Sequence, residues 1–441
     1  MPADVLPRVG FVALAVTVGL LAAGCGGGSG SNRPIKIAFV TDCAPPFDSN
    51  RQPTLAGAEL PFLQRGARLR GPEPSNGVTA ATVEGKRVQL LLRCEAYGDF
   101  TSLLGKLNQL VENERVDIVV GPTNTPEGLV VKQFAQKHRG ITFSTTTGEQ
   151  STTLTDPAPN LFGFTLDGAQ ASAGLGAYAF HNLGWRNALT VGENDPAGWP
   201  EVAGFVAEFC SLGGNIVARR WPPTFDEFGP VVKRIPNRGV DGVVLPSDLQ
   251  SAQRFMAALE RRYPRLGHRL LVNADLSSDA FTGHLTNRMI GLVGVSTWPW
   301  TPTPESRAFT AASKRHFGGT KADFYSYDEM EPVLEALAHV HGNLSEGEGQ
   351  FQTALARLHF RAPNGPTSLD ARHQAIAPTY LGRVDRNAQG KLVVRQIAVI
   401  PNVEQTFGGY FRPTTPPPST TRPGCRRRNP PPWVSSVPAT R

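Results

Sequence analysis

The sequence lacks the residue patterns that mark the common enzyme and metal-binding classes. It holds only five cysteines, and no two form a Cys-x-x-Cys pair, which argues against a zinc ribbon or a redox motif. His-Glu-x-x-His, Gly-x-Ser-x-Gly and Gly-x-x-x-x-Gly-Lys are also missing. His339 and His341 are two apart on a predicted helix, where they do not share a face for a metal. We therefore expect no cofactor, no metal and no catalytic residue; an enzyme whose triad is assembled from distant residues is the less favoured alternative.

Most of the net positive charge lies at one end of the chain. The formal net charge is +7, but residues 412–441 carry six arginines and no acid, which leaves about +1 for the rest. A nearly neutral body argues against nucleic-acid binding. Residues 411–441 are rich in Pro, Ser, Thr and Arg and poor in apolar residues, which predicts a disordered tail that Trp433 does not change. A basic arm that touches acidic envelope polymers or lipid headgroups is the alternative.

The first residues have the features of an export signal. Arg8 precedes an apolar stretch over 9–23, and a short apolar core ending in small residues is typical of a cleavable signal. The small residues directly before Cys25 resemble the bacterial lipoprotein signal, although the basic residues are few and the leucine lies four before the cysteine. The resemblance implies that residues 1–24 are removed and that a lipid on Cys25 anchors the protein outside the cytoplasm. An ordinary signal peptide with an incidental Cys25 is the alternative; the Gly/Ser-rich residues 25–33 then form a flexible tether.

Export predicts an oxidising compartment in which the remaining cysteines can pair. Cys43 follows the predicted strand 35–41, and Cys94 ends the next strand-like run, 87–93. If these strands are neighbours in one sheet, their ends come close enough for a disulfide, and we predict Cys43–Cys94. Cys210 falls on the apolar stripe of a predicted helix, which indicates a buried thiol. Cys425 lies in the tail, where we expect it to be unpaired or intermolecular.

Strands and helices alternate from residue 34 to about 295, which is the pattern of a doubly wound α/β protein. The pattern occurs twice and predicts two lobes with a cleft between them. We assign 34–165 with about 300–355 to the first lobe, and 166–299 with about 356–410 to the second. The predicted strands are 35–41, 87–93, 117–120, 141–144, 187–192, 215–219, 241–245, 269–273 and 290–296, with further strands near 378–385 and 391–399.

The stretch 116–150 combines strand, polar loop, helix, strand and a second polar loop. Thr125 is a suitable N-cap and Pro126 a suitable first helical residue. Consecutive parallel strands present their carboxyl ends at one edge of a sheet, which brings the two loops together. Their hydroxyls and the free helix N–H groups suit a carboxylate or another acceptor-rich group; simple capping of helices and turns is the alternative. The residues concerned are Thr123, Asn124, Thr125, Ser144, Thr145, Thr146 and Thr147.

Five segments occur in a fixed order: 116–122 (VDIVVGP), 167–170 (DGAQ), 183–186 (LGWR), 194–198 (NDPAG) and 213–217 (GGNIV). Together they resemble the type I periplasmic binding proteins, and more narrowly the branched-chain amino acid (Leu/Ile/Val) binding branch of ABC importers. The resemblance spans about residues 34–400. It implies two Rossmann-like lobes joined by a multi-strand hinge, a small-molecule solute, ABC permease subunits as partners, and a monomer.

The same resemblance implies roles for single residues. The hydroxyl-rich loops named above match those that hold the ligand's carboxylate in the family. Asp167 matches an acid that often holds the ligand's ammonium, by a charge-assisted hydrogen bond. A plain helix N-cap at Asp167 is equally consistent, and both roles can hold at once. Asp275 is the matching candidate for a second acid, from the other lobe.

The pocket for the ligand's side chain departs from the family pattern. Ala197 stands where an aromatic residue usually precedes Gly198, and the tyrosines that often follow the next strand are replaced by a loop containing Asp248. Trp199 is either a lid or a half-buried core residue, and Asp248 either contacts the ligand or caps a helix. We therefore expect a small polar solute, an amino acid or a related amide, without naming it.

A ligand sensor of the same exported fold is the alternative function. Such a protein would present its ligand-bound shape to a receptor or regulatory partner instead of a permease. Neighbouring genes for permease and ATPase subunits would favour transport, whereas a neighbouring kinase or cyclase gene would favour sensing.

Overall fold

The computed structural model describes residues 33–45, 48–146, 148–222, 228–236, 238–246, 249–261, 269–273, 283, 285–345 and 348–437. From residue 34 onward the chain forms one compact unit built on two sheets. The predicted α/β fold with two lobes is thereby confirmed. No helix in the described ranges is both long and apolar enough to cross a membrane.

The first lobe contains a six-stranded sheet in the order β2-β3-β1-β4-β5-β6. All neighbours are parallel except β2 and β3. The strands are β1 Ile35–Asp42, β2 Ala81–Val83, β3 Lys86–Glu95, β4 Ile118–Val120, β5 Thr142–Ser144 and β6 Leu161–Phe162.

The second lobe contains a nine-stranded mixed sheet in the order β12-β13-β14-β11-β10-β9-β7-β8, with β15 paired to β14. Strands β7 to β11 run parallel to one another, and β14 joins β11 antiparallel. The strands are β7 Asn187–Val191, β8 Asn215–Arg220, β9 Gly242–Pro246, β10 Leu270–Asn273, β11 Val293–Ser296, β12 Phe360–Ala362, β13 Gly365–Leu369, β14 Ala375–Arg386 and β15 Leu392–Val403.

Helices lie on both faces of each sheet. They are α1 Arg51–Gln64, α2 Phe100–Asn108, α3 Thr125–Lys137, α4 Gly168–Ala171, α5 Leu175–His181, α6 Gly198–Ser211, α7 Gly229–Lys233, α8 Leu249–Glu260, α9 Pro304–Phe317, α10 Phe324–His339 and α11 Gly349–Ala356. Helix α2 continues as a π-helical turn, Gln109–Asn113. Short 3-10 turns lie at Asp48–Asn50, Pro74–Asn76, Gln150–Thr152, Asn287–Met289 and Pro432–Ser436.

Strand β1 shows why both faces of the first sheet are covered. Successive side chains of a strand point to opposite faces, and parallel strands are usually buried on both. Ile37 and Phe39 pack against α1 and α10, whereas Ala38 and Val40 pack against α2 and α3. All four side chains are fully buried. The continuous apolar run of β1 therefore reflects two cores rather than one.

The later helices return to the first lobe. Phe309 of α9, Met330 of α10 and Phe351 of α11 belong to the same apolar cluster as Phe39. Strands β14 and β15 instead complete the sheet of the second lobe. The chain therefore passes between the sheets after β6, after β11 and again after α11, and loops at these crossings border both lobes.

The predicted disulfide between Cys43 and Cys94 is confirmed, with their Cα atoms 5.3 Å apart. Strands β1 and β3 are parallel neighbours, and Thr41 lies opposite Cys94 in their register. Cys43 follows two residues later, which brings its side chain to the end of β3. The pair thus joins two strands at the carboxyl edge of the first sheet.

The prediction of a disordered tail was wrong for residues 411–437, which pack on the second lobe. Phe411, Trp433 and Val434 are buried in the same cluster as Phe209 of α6. The indole Nε1 of Trp433 donates a hydrogen bond to Glu208 Oε1 at 2.9 Å. Composition indicates whether a segment can build a core of its own, whereas this segment adds side chains to an existing one.

The predictions for Cys210 and Cys425 were also wrong, because the two form a disulfide with Cα atoms 5.3 Å apart. Cys210 is buried on α6 as expected, but the docked tail brings a partner from 215 residues away. Local spacing contains no information about such a contact. We define the tail-covered face by four of the second-lobe residues that contact the tail: Glu208, Cys210, Arg219 and Trp221.

Candidate functional site

A cavity of about 520 Å³ lies at the carboxyl ends of β1 and β4. Its lining residues come from β1, the start of α1, the two hydroxyl-rich loops and the approach to α10. They are Thr41, Asp42, Asn50, Pro53, Thr54, Thr123, Asn124, Thr146, Lys321, Ala322, Asp323, Phe324 and Tyr325. We call Thr41, Asp42, Thr123, Asn124 and Thr146 the cavity edge. Its position agrees with the general location of ligand sites in open α/β sheets.

Asp42 is the most unusual group of the cavity edge. It ends β1 and is 3% exposed. Its Oδ2 accepts a hydrogen bond from Asn124 Nδ2, whereas Oδ1 is buried and has no partner in the described part of the chain. Burial raises the pKa of Asp42, against the hydrogen bond from Asn124, and nearby Glu95 raises it further. A cationic group that reached this unpartnered oxygen from the cavity would offset the cost of its burial.

The start of α3 presents backbone N–H groups at the same edge. The structure has Asn124 as N-cap, one residue before the predicted Thr125, and its side chain makes no capping hydrogen bond. That side chain bonds Asp42 instead. The hydroxyls of Thr123 and Thr41 lie 3.4 Å apart beside it. An uncapped helix start with adjacent hydroxyls is suited to an anionic group.

The second hydroxyl-rich loop contributes less to the cavity than predicted. The Ser144 hydroxyl donates to Glu329 Oε2, and the Thr145 hydroxyl donates to the carbonyl of Pro122 at 2.8 Å. Thr146 lines the cavity, and Thr147 lies outside the described residues. Thr125 accepts a bond from Gly148 N at 3.1 Å, which fixes this loop against α3. Two of the predicted hydroxyls are thus engaged in holding the loops.

Glu329 explains why Ser144 is turned inward. Its carboxyl group is fully buried on α10 and accepts from Ser144 and from the backbone N of Phe164 at 3.1 Å. Burial raises the pKa of Glu329 to about 7, although the hydrogen bond from Ser144 lowers it. The group therefore ties β5 and the first crossing segment to α10.

Asp167 is a buried helix cap. It precedes α4, its Oδ1 accepts from Gln170 N at 2.8 Å, and the Gln170 side chain accepts from Asp167 N at 3.0 Å. The carboxyl is 1% exposed and does not line the cavity. Burial raises the pKa of Asp167 to about 7, against the helix N–H groups. These contacts are those of a capping box.

Further carboxyl groups, some of them from the second lobe, act on Tyr97, which follows β3. Burial raises the pKa of Tyr97, and the charges of Glu127, Asp195, Asp42 and Glu193 add to this effect. These acids come from both lobes. Acidic residues of both lobes therefore lie near enough to Tyr97 to raise the pKa of its hydroxyl.

Trp199 and its neighbours form a compact turn at the start of α6. The half-buried Trp199 donates from Nε1 to Asn194 Oδ1 at 3.1 Å. Asp195 accepts from the backbone N of Ala197 and of Gly198, at 2.9 and 2.8 Å. Asp248 and Asp275 lie outside the described residues.

Asp42 and Lys321 are cavity residues that the sequence analysis missed. A signal for Asp42 was present, because it ends a strand at the same sheet edge as Thr123. Lys321 precedes α10, more than 150 residues from the loops it faces, and no local pattern marks it. Within the described ranges, no group of three His, Cys, Asp or Glu side chains is arranged to hold a metal ion.

A second cavity of about 760 Å³ shares part of this wall. The two cavities have Asn50, Pro53, Lys321, Ala322 and Phe324 in common. The larger cavity continues toward α9, along rings that are in contact: Trp298 lies 5.8 Å from Phe309 and 5.0 Å from Phe324, between centroids. The wall therefore continues from the polar cavity edge to an aromatic surface formed by Trp298, Phe309 and Phe324.

Comparisons of the chain with family models, curated proteins and solved structures agree with one another. The family model for periplasmic binding proteins matches residues 34–391. Leu/Ile/Val-binding protein homolog 6 of Brucella suis biovar 1 (strain 1330) is 22% identical over 298 residues, which cover 66% of this chain and 75% of that protein.

Among solved structures, an ABC transporter substrate-binding protein from Sphaerobacter thermophilus has a TM-score of 0.72 at 24% identity, covering 85% of this chain and 99% of that one. A solute-binding protein of an ABC transporter from Rhodopseudomonas palustris BisB5, in complex with 3,4-dihydroxybenzoic acid, has a TM-score of 0.69 at 20% identity. It covers 84% of this chain and 98% of that one.

Proposed function

Since the chain belongs to the periplasmic binding protein family, we propose that it captures an amino acid or a related amide for an ABC importer. The family consists of extracytoplasmic solute-binding proteins rather than enzymes. The observation that carries the proposal is the cavity edge, where an unpartnered Asp42 oxygen lies beside the uncapped start of α3. A negative and a positive subsite thus lie side by side.

The two subsites match the two charges of an amino acid. The ammonium group would donate to Asp42 Oδ1, which has no other partner in the described chain. The carboxylate would accept from the first N–H groups of α3 and from the Thr123 hydroxyl, with Lys321 at the opposite wall. The solute's side chain would extend toward Phe324 and the aromatic surface.

An aromatic carboxylic acid is the second candidate solute, because of the rings of Trp298, Phe309 and Phe324. The Rhodopseudomonas palustris relative is in complex with such an acid. An acid without an amine would leave Asp42 unsatisfied and place a second negative charge near it. We therefore favour a solute that carries both charges.

The transport cycle follows from two lobes joined by crossing segments. A solute that contacts both lobes favours the closed form, and the permease subunits would recognise that form. The protein would act as a monomer, held at the membrane by a lipid on Cys25. Intact-mass analysis of the membrane-extracted protein would show the lipid on a chain that starts at Cys25.

A matched pair of variants tests the site. We expect Asp42→Asn to weaken binding of the best amino acid about 10- to 100-fold, since hydrogen bonds between charged groups contribute about 1.5–3 kcal/mol. Asp167→Asn keeps an N-cap side chain and should leave affinity within about twofold. Residues 34–441 would first be screened by thermal shift against amino acids, amides and aromatic acids, then titrated by calorimetry.

The outcomes separate the candidate roles. Loss of affinity in the Asp167 variant with an unaffected Asp42 variant would move the ammonium site to Asp167. Equal binding of an aromatic acid by all three proteins would favour that solute class. The absence of any thermal shift in a folded preparation would count against solute capture and favour a sensor of a protein partner.

A further inference from the structure

The tail and the end of the second lobe form a third cavity, of about 210 Å³, that shares no lining residue with the other two. Three arginines lie in its wall, with aromatic and proline rings between them. The lining residues are Tyr410, Phe411, Thr415, Pro416, Pro418, Arg422, Pro423, Gly424, Arg426 and Arg428.

Contacts with the tail-covered face hold this cavity in place. Cys425 is bonded to Cys210, the Trp221 Nε1 donates to the carbonyl of Thr420 at 3.1 Å, and Arg219 donates to the carbonyl of Pro423. Within the cavity wall, the Tyr410 hydroxyl donates to Gly424 O at 2.8 Å and accepts from the backbone N of Arg426 at 3.1 Å. The loop that carries the arginines is therefore fixed at both sides.

Among the residues that the structure describes, the arginines of this cavity and the neighbouring Arg219 have no acidic partner. The ion pairs formed within the described ranges involve none of Arg219, Arg422, Arg426 and Arg428. The sequence has no acidic residue after Glu404. The Arg428 guanidinium lies over the Tyr410 ring, 5.2 Å from its centroid, and the backbone N of Arg426 donates to the Tyr410 hydroxyl. The charges of Arg428, Arg219 and Arg426 lower the pKa of Tyr410, against its burial. Like charges around one side chain repel one another, and a bound anion would relieve the repulsion.

We propose that this cavity binds a phosphoryl group, carried either by a phospholipid headgroup or by a soluble organic phosphate. Guanidinium groups present several N–H donors in a planar fork that matches phosphate oxygens. Arg428 and Arg422 each use one donor on a backbone carbonyl, of Gly409 at 3.4 Å and of Pro417 at 3.1 Å. Their other donors remain for a ligand. The buried rings of Phe411 and Pro418 form the apolar part of the same wall.

The test compares two triple variants of residues 34–441, the compact unit of the chain. One variant carries Arg422→Gln, Arg426→Gln and Arg428→Gln in the cavity. The matched control removes the same charge at three exposed arginines of the first lobe: Arg307→Gln, Arg315→Gln and Arg357→Gln. Binding would be measured by calorimetry with glycerol 3-phosphate, and by co-sedimentation with vesicles of phosphatidylcholine alone or mixed with phosphatidylglycerol.

We expect the cavity variant to lose binding at least tenfold, with the control within about twofold of the wild type. Equal losses in both variants would show a general effect of net charge and overturn the proposal. Failure of the wild-type protein to bind either phosphate probe would also overturn it. Binding of glycerol 3-phosphate that competes with the vesicles supports a site open to soluble phosphates, whereas binding to phosphatidylglycerol vesicles alone supports a headgroup site. Equal unfolding midpoints of the three proteins would confirm that each is folded.

Discussion

The cavity edge of the first lobe and the tail-covered face of the second lobe differ in how they treat buried carboxyl groups. On the tail-covered face, Glu208 is fully buried and accepts from Gly174 N and Ala177 N, each at 3.0 Å, and from the Trp433 indole. At the cavity edge, one oxygen of the buried Asp42 has no partner in the described chain. Glu59 on α1 of the same lobe is fully buried, and neither of its carboxyl oxygens has a partner in the described chain.

The difference separates a stabilising region from the proposed binding region. A buried carboxylate that accepts several hydrogen bonds recovers the cost of leaving water, whereas an unpartnered oxygen does not. Under the proposed function, Asp42 of the first lobe is an unsatisfied group that a solute would satisfy. The second lobe satisfies its group by means of the tail, and changes to the two regions should have separate effects.

The largest expected effect is on the tail-covered face. Trp433→Ala removes a ring that is 3% exposed and the N–H donor to Glu208. Removing a buried tryptophan costs about 3–5 kcal/mol of unfolding free energy, and the unpaired Glu208 oxygen adds to this loss. Urea unfolding would measure it, and the solute affinity should not change.

Trp433→Phe is the matched control, because it keeps an aromatic ring and removes the donor. We expect it to lose less stability than the alanine variant. An alanine variant as stable as the wild type would show that the tail does not stabilise the second lobe. A change of solute affinity in either variant would break the separation between the two regions.

The next effect compares the two disulfides. Replacing both Cys210 and Cys425 by serine should cost about 2–4 kcal/mol and leave affinity unchanged, because the pair closes a loop of 215 residues away from the cavity edge. Replacing both Cys43 and Cys94 should cost less, since its loop spans 51 residues. It should weaken solute binding, because Cys43 follows Asp42 directly. Solute titrations and unfolding curves of both double variants measure these effects. A larger loss of affinity in the Cys210/Cys425 variant than in the Cys43/Cys94 variant would contradict the comparison.

The smallest effect concerns pH. Burial raises the pKa of Glu59 to about 8 from its ordinary value of 4.5. Between these two pH values the folded protein keeps a proton that the unfolded chain releases. The stability that this proton contributes is fully present below pH 4.5 and is lost as the pH rises through about 8. Glu59→Gln should therefore raise stability at pH 8.5 relative to the wild type, by an amount on the order of 2 kcal/mol.

Thermal unfolding at pH 5 and pH 8.5 measures this difference. Glu112→Gln, at an exposed carboxyl group of the same lobe, is the matched control and should leave the difference between the two pH values unchanged. An equally steep pH dependence in the Glu59 variant would mean that a partner satisfies this carboxyl group after all.

The strand pattern of the sequence was sufficient to predict the two sheets. Predicted strands such as 35–41, 87–93 and 269–273 correspond to β1 Ile35–Asp42, β3 Lys86–Glu95 and β10 Leu270–Asn273. Long apolar runs bounded by polar turns determine such elements locally. The Cys43–Cys94 bond followed from adjacency of two strands in this pattern. Short strands such as β6 Leu161–Phe162 were missed, because two residues carry no periodicity.

What could not be predicted depends on contacts between distant parts of the chain. Ser144 was expected to face a ligand, but Glu329, 185 residues away, takes its hydroxyl. The docking of Trp433 and the Cys210–Cys425 bond are contacts of the same kind. Asp42 was missed for another reason: the hydroxyl-rich pattern marks only the two loops, whereas a carboxylate at the end of a strand lies at the same sheet edge.

The bond from Trp433 to Glu208 joins residues 225 positions apart. During synthesis, Glu208 is made long before the tryptophan that completes its shell of donors, and a chain that stops earlier buries a carboxylate one donor short. The second lobe of such a fragment would open more readily and be cleaved sooner by proteases. The contact thus makes the resistance of the second lobe to proteases depend on residues 411–437, which are synthesised long after its helices.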